Sequence, residues 1–129
     1  MKVARQNVTM NHPVEDAVAF SRAVVQGPWC FVSGITGVDP ETGEIPDSAA
    51  DQARNCFTSI EAVLEKAGFT LADVVRAVYY LTADSHAPEV IPILKEKFDA
   101  IRPAATMVVS GLPKPGLKVE IEVTALKSS

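Results

Sequence analysis

Basic charge is scarce in this chain. Its 129 residues hold 12 Lys and Arg against 16 Asp and Glu, a formal net charge of −4, and no Lys/Arg run occurs. Without a basic stripe interleaved with aromatics, the electrostatic footprint of a nucleic-acid-binding domain is missing. Long apolar runs are missing too. None approaches the roughly 20 residues that cross a bilayer, so no membrane span is expected. The opening MKVARQNVTMNHP has no continuous apolar segment, so no secretory signal is expected. There are 2 cysteines, Cys30 and Cys56, which is no disulfide framework and fits a reducing cytoplasm. His12 and His86 stand far apart and away from both cysteines, so no metal site is expected. The phosphate-cradling and nucleophile-elbow motifs G-x-G-x-x-G, G-x-x-x-x-G-K-[ST] and G-x-S-x-G do not occur, which removes support for nucleotide folds and elbow-type hydrolases.

What is present reads as one domain over residues 1–129, with 47% hydrophobic residues around one core. Residues 2–8 alternate loosely, as an edge strand does. FSRAVVQGPWCFVSG (20–34) divides into strands Ser21–Val25 and Trp29–Ser33 around a turn at Gln26-Gly27-Pro28. Ala53, Phe57, Ile60, Leu64 and Ala67 recur at helical spacing and predict a helix over 49–67, capped by Asp47 or Ser48 and closed by Gly68. VVRAVYYLT (74–82) is rich in β-branched and aromatic residues and predicts a strand. A second helix ends near Asp99 or Ala100. Because proline cannot donate within a helix, Pro88 and Pro92 predict an irregular turn over 85–91, with the regular helix beginning at Pro92. Strands over 105–110 and 117–126 complete the chain.

The order β-β-β-α-β-α-β-β predicts an α+β fold: one mixed sheet with two helices on one face. In the last strand, Val119, Ile121, Val123 and Ala125 share one side, with Glu120, Glu122, Thr124 and Leu126 on the other. Met107, Val109, Val78 and Tyr80, or their neighbours if the parity is shifted, form an uncovered apolar face, which predicts homo-oligomerisation.

The candidate chemistry is sparse. Cys30 lies mid-strand and Cys56 beside the helical stripe, so both read as buried, inert thiols. In VSGITG, Ser33 ends a strand beside Gly34, where a hydroxyl and backbone N–H groups can approach a ligand; a plain strand-ending turn is the competing reading. Glu120 and Glu122 are solubilising residues if their face meets water. If an oligomer covers that face, one becomes a candidate base for activating water. Arg102, before Pro103, either complements the helix C-terminus or receives an anion at a subunit boundary.

Six stretches taken together resemble the reactive-intermediate deaminase family, RidA/YjgF: FSRAV (20–24), FVSGITGVDPETGEI (31–45), QARNCFTSIEAVLEKAG (52–68), LADVVRAVYYLT (71–82), RPAATMV (102–108) and KVEIEVTA (118–125). The resemblance implies a chorismate-mutase-like α+β fold and a homotrimer with clefts between subunits. It also implies hydrolysis of reactive enamines and imines, such as 2-aminoacrylate, to a keto acid and ammonia, without a cofactor. In deaminating members an arginine follows the Pro-Ala of the RPA segment and pairs with the substrate carboxylate; here that position is Ala105. A bidentate arginine supplies both energy and orientation, and alanine supplies neither.

The family's aromatic position is Phe20 here, its pocket cysteine Met107, and the asparagine of its second helix Ile91. Ser33 and Glu120 are retained. The resemblance thus implies an arginine-lacking branch, with Glu120 activating water and Ser33, Gly34, Phe20, Ala105, Thr106, Met107 and Arg102 around a small-molecule ligand. The expected substrates are larger or less anionic than a simple 2-imino acid, aminomuconate-like compounds among them. The competing expectation is a trimer that binds a metabolite without turning it over. The family's historical ribonuclease label conflicts with the net charge of −4.

Overall fold

The computed structural model describes residues 4–128. Its strands are β1 (Arg5–Val8), β2 (Ala23–Gln26), β3 (Trp29–Thr36), β4 (Val74–Leu81), β5 (Ala104–Val109) and β6 (Val119–Leu126). They form one six-stranded sheet in the order β1-β2-β3-β6-β4-β5. All neighbours run antiparallel except β4 and β5. That parallel pair needs a crossover, which a helix between the two strands supplies. The helices are α1 (Pro13–Val18), α2 (Ala49–Ala67) and α3 (Ala87–Phe98).

α2 forms as its spacing predicts. Ser48 caps it by accepting from the Asp51 amide at 2.9 Å, and Gly68 closes it at a φ of +85°. Its buried stripe packs on Val32, Ile35, Ile121 and Val123 of the sheet, and Phe57 meets Phe98 of α3 edge-on at 5.2 Å. Burying such side chains is worth about 1.5–3 kcal/mol each, which makes this stripe the main tie between helix and sheet.

Several expectations are corrected. A third helix, α1, lies between the first two strands, where no element was predicted, and His12 starts it: the imidazole Nδ1 accepts from the Val14 amide and Glu15 completes the capping box. α3 begins at Ala87 and passes through Pro92. The carbonyl that Pro92 leaves without a donor is that of Pro88 in the first turn, where both prolines are exposed to water. β3 continues past Ser33 to Thr36, and β2 begins at Ala23. Residues 2 and 3 of the expected first strand lie outside the described residues. Among the described residues no helix is long and apolar enough to cross a membrane.

The predicted alternation of β6 is observed: Val119, Ile121, Val123 and Ala125 are buried beneath the helices. Among the described residues no helix packs on the opposite face of the sheet. On it lie Trp29 and Phe31, 40% and 49% exposed and stacked at 6.0 Å, in line with Leu126 and Thr124. Val78 and Tyr80 share this face through Glu122 and Glu120. Met107 and Val109 do not. They pair in register with Tyr79 and Leu81, so they stand on the helix side of edge strand β5. The shifted parity holds for β5, whose exposure along nearly its whole length leaves its two sides alike in composition.

Candidate functional site

Glu120 stands on the uncovered face, where β3 and β6 fall out of step. Val32 pairs with Val123 and Ile35 with Ile121, so Ser33 and Gly34 together oppose the single residue Glu122. This β-bulge lets Val32 and Ile35, three residues apart, both point into the core, and it turns Ser33 and Gly34 toward the open face. The Glu120 carboxylate lies directly over Gly34. A Cβ there would come within 2.6 Å of Oε2 and 2.9 Å of Cδ, so only glycine admits this side-chain position. Among the described residues the Glu120 carboxylate has no hydrogen-bond donor. Its pKa is raised above the ordinary carboxylate value, first by burial and then by the charge of Glu122.

Around it the field is negative. Glu122 is the next residue on the same side of β6, and its Oε1 accepts from the Tyr80 hydroxyl across the sheet. Lys118 is two residues from Glu120, but its Nζ donates to the Asp47 carbonyl at 2.5 Å and faces the Asp47 carboxylate at 3.8 Å. Arg76 shares the open face but donates to Thr106 Oγ1 at 2.9 Å, near the far edge of the sheet. No cation among the described residues pairs with Glu120 or Glu122.

Ser33 is less free than its sequence context implies. Its hydroxyl donates to the Ser21 carbonyl at 2.6 Å, leaving only its lone pairs for a ligand. A group so committed accepts from an N–H and cannot donate to a carbonyl oxygen. Phe20 lies on the same segment, half-buried, with the Arg22 guanidinium 5.1 Å from its ring centre. Arg22 in turn faces buried Glu15 at 3.8 Å, so the segment carrying Phe20 is tied to α1.

The remaining expected site residues lie elsewhere. Ala105 and Met107 are on the helix side of β5, exposed, in register with Ala77 and Tyr79; Thr106 is on the open side. Strand β4 separates β5 from β6, which puts roughly 10 Å between their backbones. Arg102 adopts a left-handed backbone at φ 55°, and its guanidinium folds back on Asp99, to the carbonyl at 2.8 Å and to Oδ1 at 2.7 Å. It borders a shallow cleft of about 260 Å³ walled by Tyr79, Ile91, Leu94, Phe98 and Pro103. Apart from Thr106, which is on the open face but two strands away from Glu120, the expected residues fall into two sets on opposite faces of the sheet. Ser33, Gly34 and Glu120 adjoin one another, with Phe20 tied to them through the Ser21–Ser33 bond. Ala105, Met107 and Arg102 cannot reach them within one chain.

Sequence reasoning missed three polar residues: Tyr80 as a partner for Glu122, Arg76 as the companion of Thr106, and Gln52. Gln52 is fully buried although it faces the apolar side of α2. A polar residue one turn before Cys56 on that stripe was the available signal. Both cysteines are buried as expected. Burial pushes the Cys30 thiol up to about 11, and that of Cys56 higher still, with the Glu120 charge adding to the effect of burial. A disulfide reagent at pH 8 should thus find no reactive thiol in the native protein and both after unfolding, as read from the thiolate released.

The sequence profile of the family described as Endoribonuclease L-PSP matches residues 10–127. A solved structure from Mycobacterium tuberculosis, a member of the YjgF/YER057c/UK114 family, superposes with a TM-score of 0.87. The two are 41% identical, and the match covers 96% of this chain and all of that one. The chain belongs to the RidA/YjgF superfamily. Other RidA/YjgF relatives agree along most of their length. A RutC family protein of Pyrococcus horikoshii is 37% identical over 110 residues, 84% of this chain and 86% of that protein. The bovine protein named 2-iminobutanoate/2-iminopropanoate deaminase is 34% identical over 110 residues, 84% of this chain and 80% of its own.

Proposed function

We propose that this protein is a deaminase-type hydrolase of enamines or imines, working in clefts between the subunits of a homotrimer on a small metabolite other than a simple 2-imino acid. The single observation that carries the reading is the Glu120 carboxylate: half-buried, without a donor, and held over Gly34 beside an acceptor hydroxyl. In the reaction, Glu120 takes a proton from water as the oxygen bonds to the imine carbon. That proton passes to the nitrogen, giving the carbinolamine; Glu120 then carries the hydroxyl proton to the nitrogen as the C–N bond breaks, and a carbonyl compound and ammonia leave; an enamine first tautomerises to the imine. Ser33 accepts from the substrate N–H, Phe20 and Met107 supply apolar walls, and Thr106 and Arg102 lie on the partner side of the cleft.

The division of the site across the sheet supports the trimer. Ala105 and Met107 can approach a Glu120 only if the β5 edge of one copy meets the open face of another. Such docking would also cover Trp29 and Phe31 and shield the exposed edge of β5. The choice of substrate follows from charge. Two carboxylates without a paired cation repel an anionic substrate, and Ala105 offers no bidentate clamp. The same lack of a clamp favours the second reading, a trimer that binds a metabolite without turning it over.

The test generates neutral imines with an amine oxidase and 2-imino acids with an amino-acid oxidase, and follows their decay. Neutral imines should decay faster with the protein present. Acceleration of 2-iminopropanoate should fall about 10–100-fold below that given by the bovine relative, the value of a charge-assisted hydrogen-bond pair. Equal clearance of 2-iminopropanoate would overturn the substrate assignment. No acceleration of any imine, together with tight metabolite binding, would establish the second reading.

A further inference from the structure

We infer that Tyr80 is a positioning residue for this reaction: its hydroxyl fixes Glu122 as the charged neighbour of Glu120, so that the proton exchanged during turnover resides on Glu120. The inference rests on the reading of Glu120 as the base and goes on to say how two neighbouring carboxylates acquire different duties. The geometry comes from three adjacent strands. Tyr80 is the register partner of Glu120 on β4, yet its hydroxyl reaches diagonally to Glu122 Oε1. Glu122 thereby gains a hydrogen-bond donor that holds its carboxylate in place, whereas Glu120, leaning over the bulge at Gly34, gains none.

The other groups facing the pair do not upset this division. β3 brings Ser33, Gly34 and Thr36, none of them charged. β4 brings Arg76, engaged by Thr106, and β6 brings Lys118, engaged by Asp47. From beneath, α2 brings the Cys56 thiol, which donates to the Ile35 carbonyl at 3.3 Å and stays protonated. The Tyr80 phenol itself is pushed up by its bond to Glu122, by burial, and by both carboxylates, so it remains a donor at neutral pH. Burial and then the charge of Glu122 raise the proton affinity of Glu120, which has no donor to offset them. A base that must accept a proton from water and return it to nitrogen works best when its affinity for protons is raised toward the working pH.

The experiment follows the ¹³C carboxyl resonances of Glu120 and Glu122 through a pH titration of the full-length wild type, Tyr80→Phe and Glu122→Gln, alongside pH–rate profiles for a neutral imine. In wild type, Glu120 should titrate above the ordinary carboxylate range. Tyr80→Phe should shift its titration downward. Glu122→Gln should lower that of Glu120, and in both variants the acidic limb of kcat/KM should move to lower pH. A purely structural role would reduce kcat equally at every pH and leave the titrations in place. Unchanged carboxyl titrations in both variants overturn the inference, whatever the activity. If the titrations move as stated while Glu120→Gln hydrolyses the imine like wild type, the proposed reaction fails and the pairing stands.

Discussion

Glu120→Gln should lose about 10²–10⁴-fold in kcat/KM toward a neutral imine, the usual contribution of a positioned general base, without losing its fold. Glutamine keeps the shape of the side chain over Gly34 and removes only its capacity to take a proton. The same substitution should raise stability at neutral pH. The folded Glu120 pKa lies above its ordinary value of 4.5, because burial and the Glu122 charge both disfavour the anion. Below pH 4.5 the group is protonated whether the chain is folded or unfolded, and its full contribution to stability is present. As pH rises through the folded pKa, the native state must ionise a half-buried acid that the unfolded chain ionises more readily, and stability is lost. Glutamine escapes that loss. Melting curves at pH 7 should place the variant above wild type, and curves at pH 4 should bring the two together. Wild-type turnover by the variant would remove Glu120 from the mechanism. A variant melting below wild type at pH 7 would contradict the account of its burial.

Gln52→Leu should have the largest effect on stability of any single polar-to-apolar change in the described residues. The amide is fully buried and uses both ends. Nε2 donates to the Pro46 carbonyl at 2.7 Å and the Gly116 carbonyl at 2.9 Å, and Oε1 accepts from the Lys118 amide at 2.8 Å. Those three bonds tie the loop before α2 to the turn that begins β6. Leucine fills the volume and leaves two carbonyls and an amide without partners. At about 1–3 kcal/mol for each stranded group, discounted for partial rehydration, the loss is about 3–5 kcal/mol. For a chain of this length that corresponds to roughly 10–20 °C in Tm. Gly37 adds to the constraint, since a Cβ there would come within 2.3 Å of Gln52 Cβ, so backbone and amide pack as one unit. Because Lys118 leads directly into Glu120, the variant should also lose imine hydrolysis at temperatures where it remains folded. Thermal melts followed by assays well below the midpoint separate the two effects. A shift under 3 °C would show that water replaces the amide at no cost.

Much of this was legible in the residue order, and the reason is local. Helix α2 declares itself through a stripe at 3.6-residue spacing with a cap before it and a glycine after it, and β6 through strict alternation. Periodicity records which side of an element meets the core, so the separation of Glu120 and Glu122 from the Val/Ile row could be read directly. The resemblance carried by six stretches also brought the family, which the relatives and solved structures establish. His12 and Glu15 form a capping box of short reach, but a six-residue helix has too few turns to show a period, so the residue order does not reveal α1. Pro92 does not interrupt α3, because a missing donor matters little where the orphaned carbonyl faces water.

What remained for the tertiary structure to decide was anything involving two elements at once. Whether Ser33 is free or bonded to Ser21, whether Lys118 neutralises Glu120 or turns to Asp47, and whether Arg102 reaches a ligand or folds on Asp99 all depend on distances between segments remote in sequence or on backbone angles. The bulge that sets Gly34 beneath Glu120 is a mismatch between two strands, invisible in either one. The parity of β5 belongs here too, for an edge strand exposed on both sides carries no burial pattern to read. Sequence writes each element's own preferences, while a site made across strands is specified only by their register.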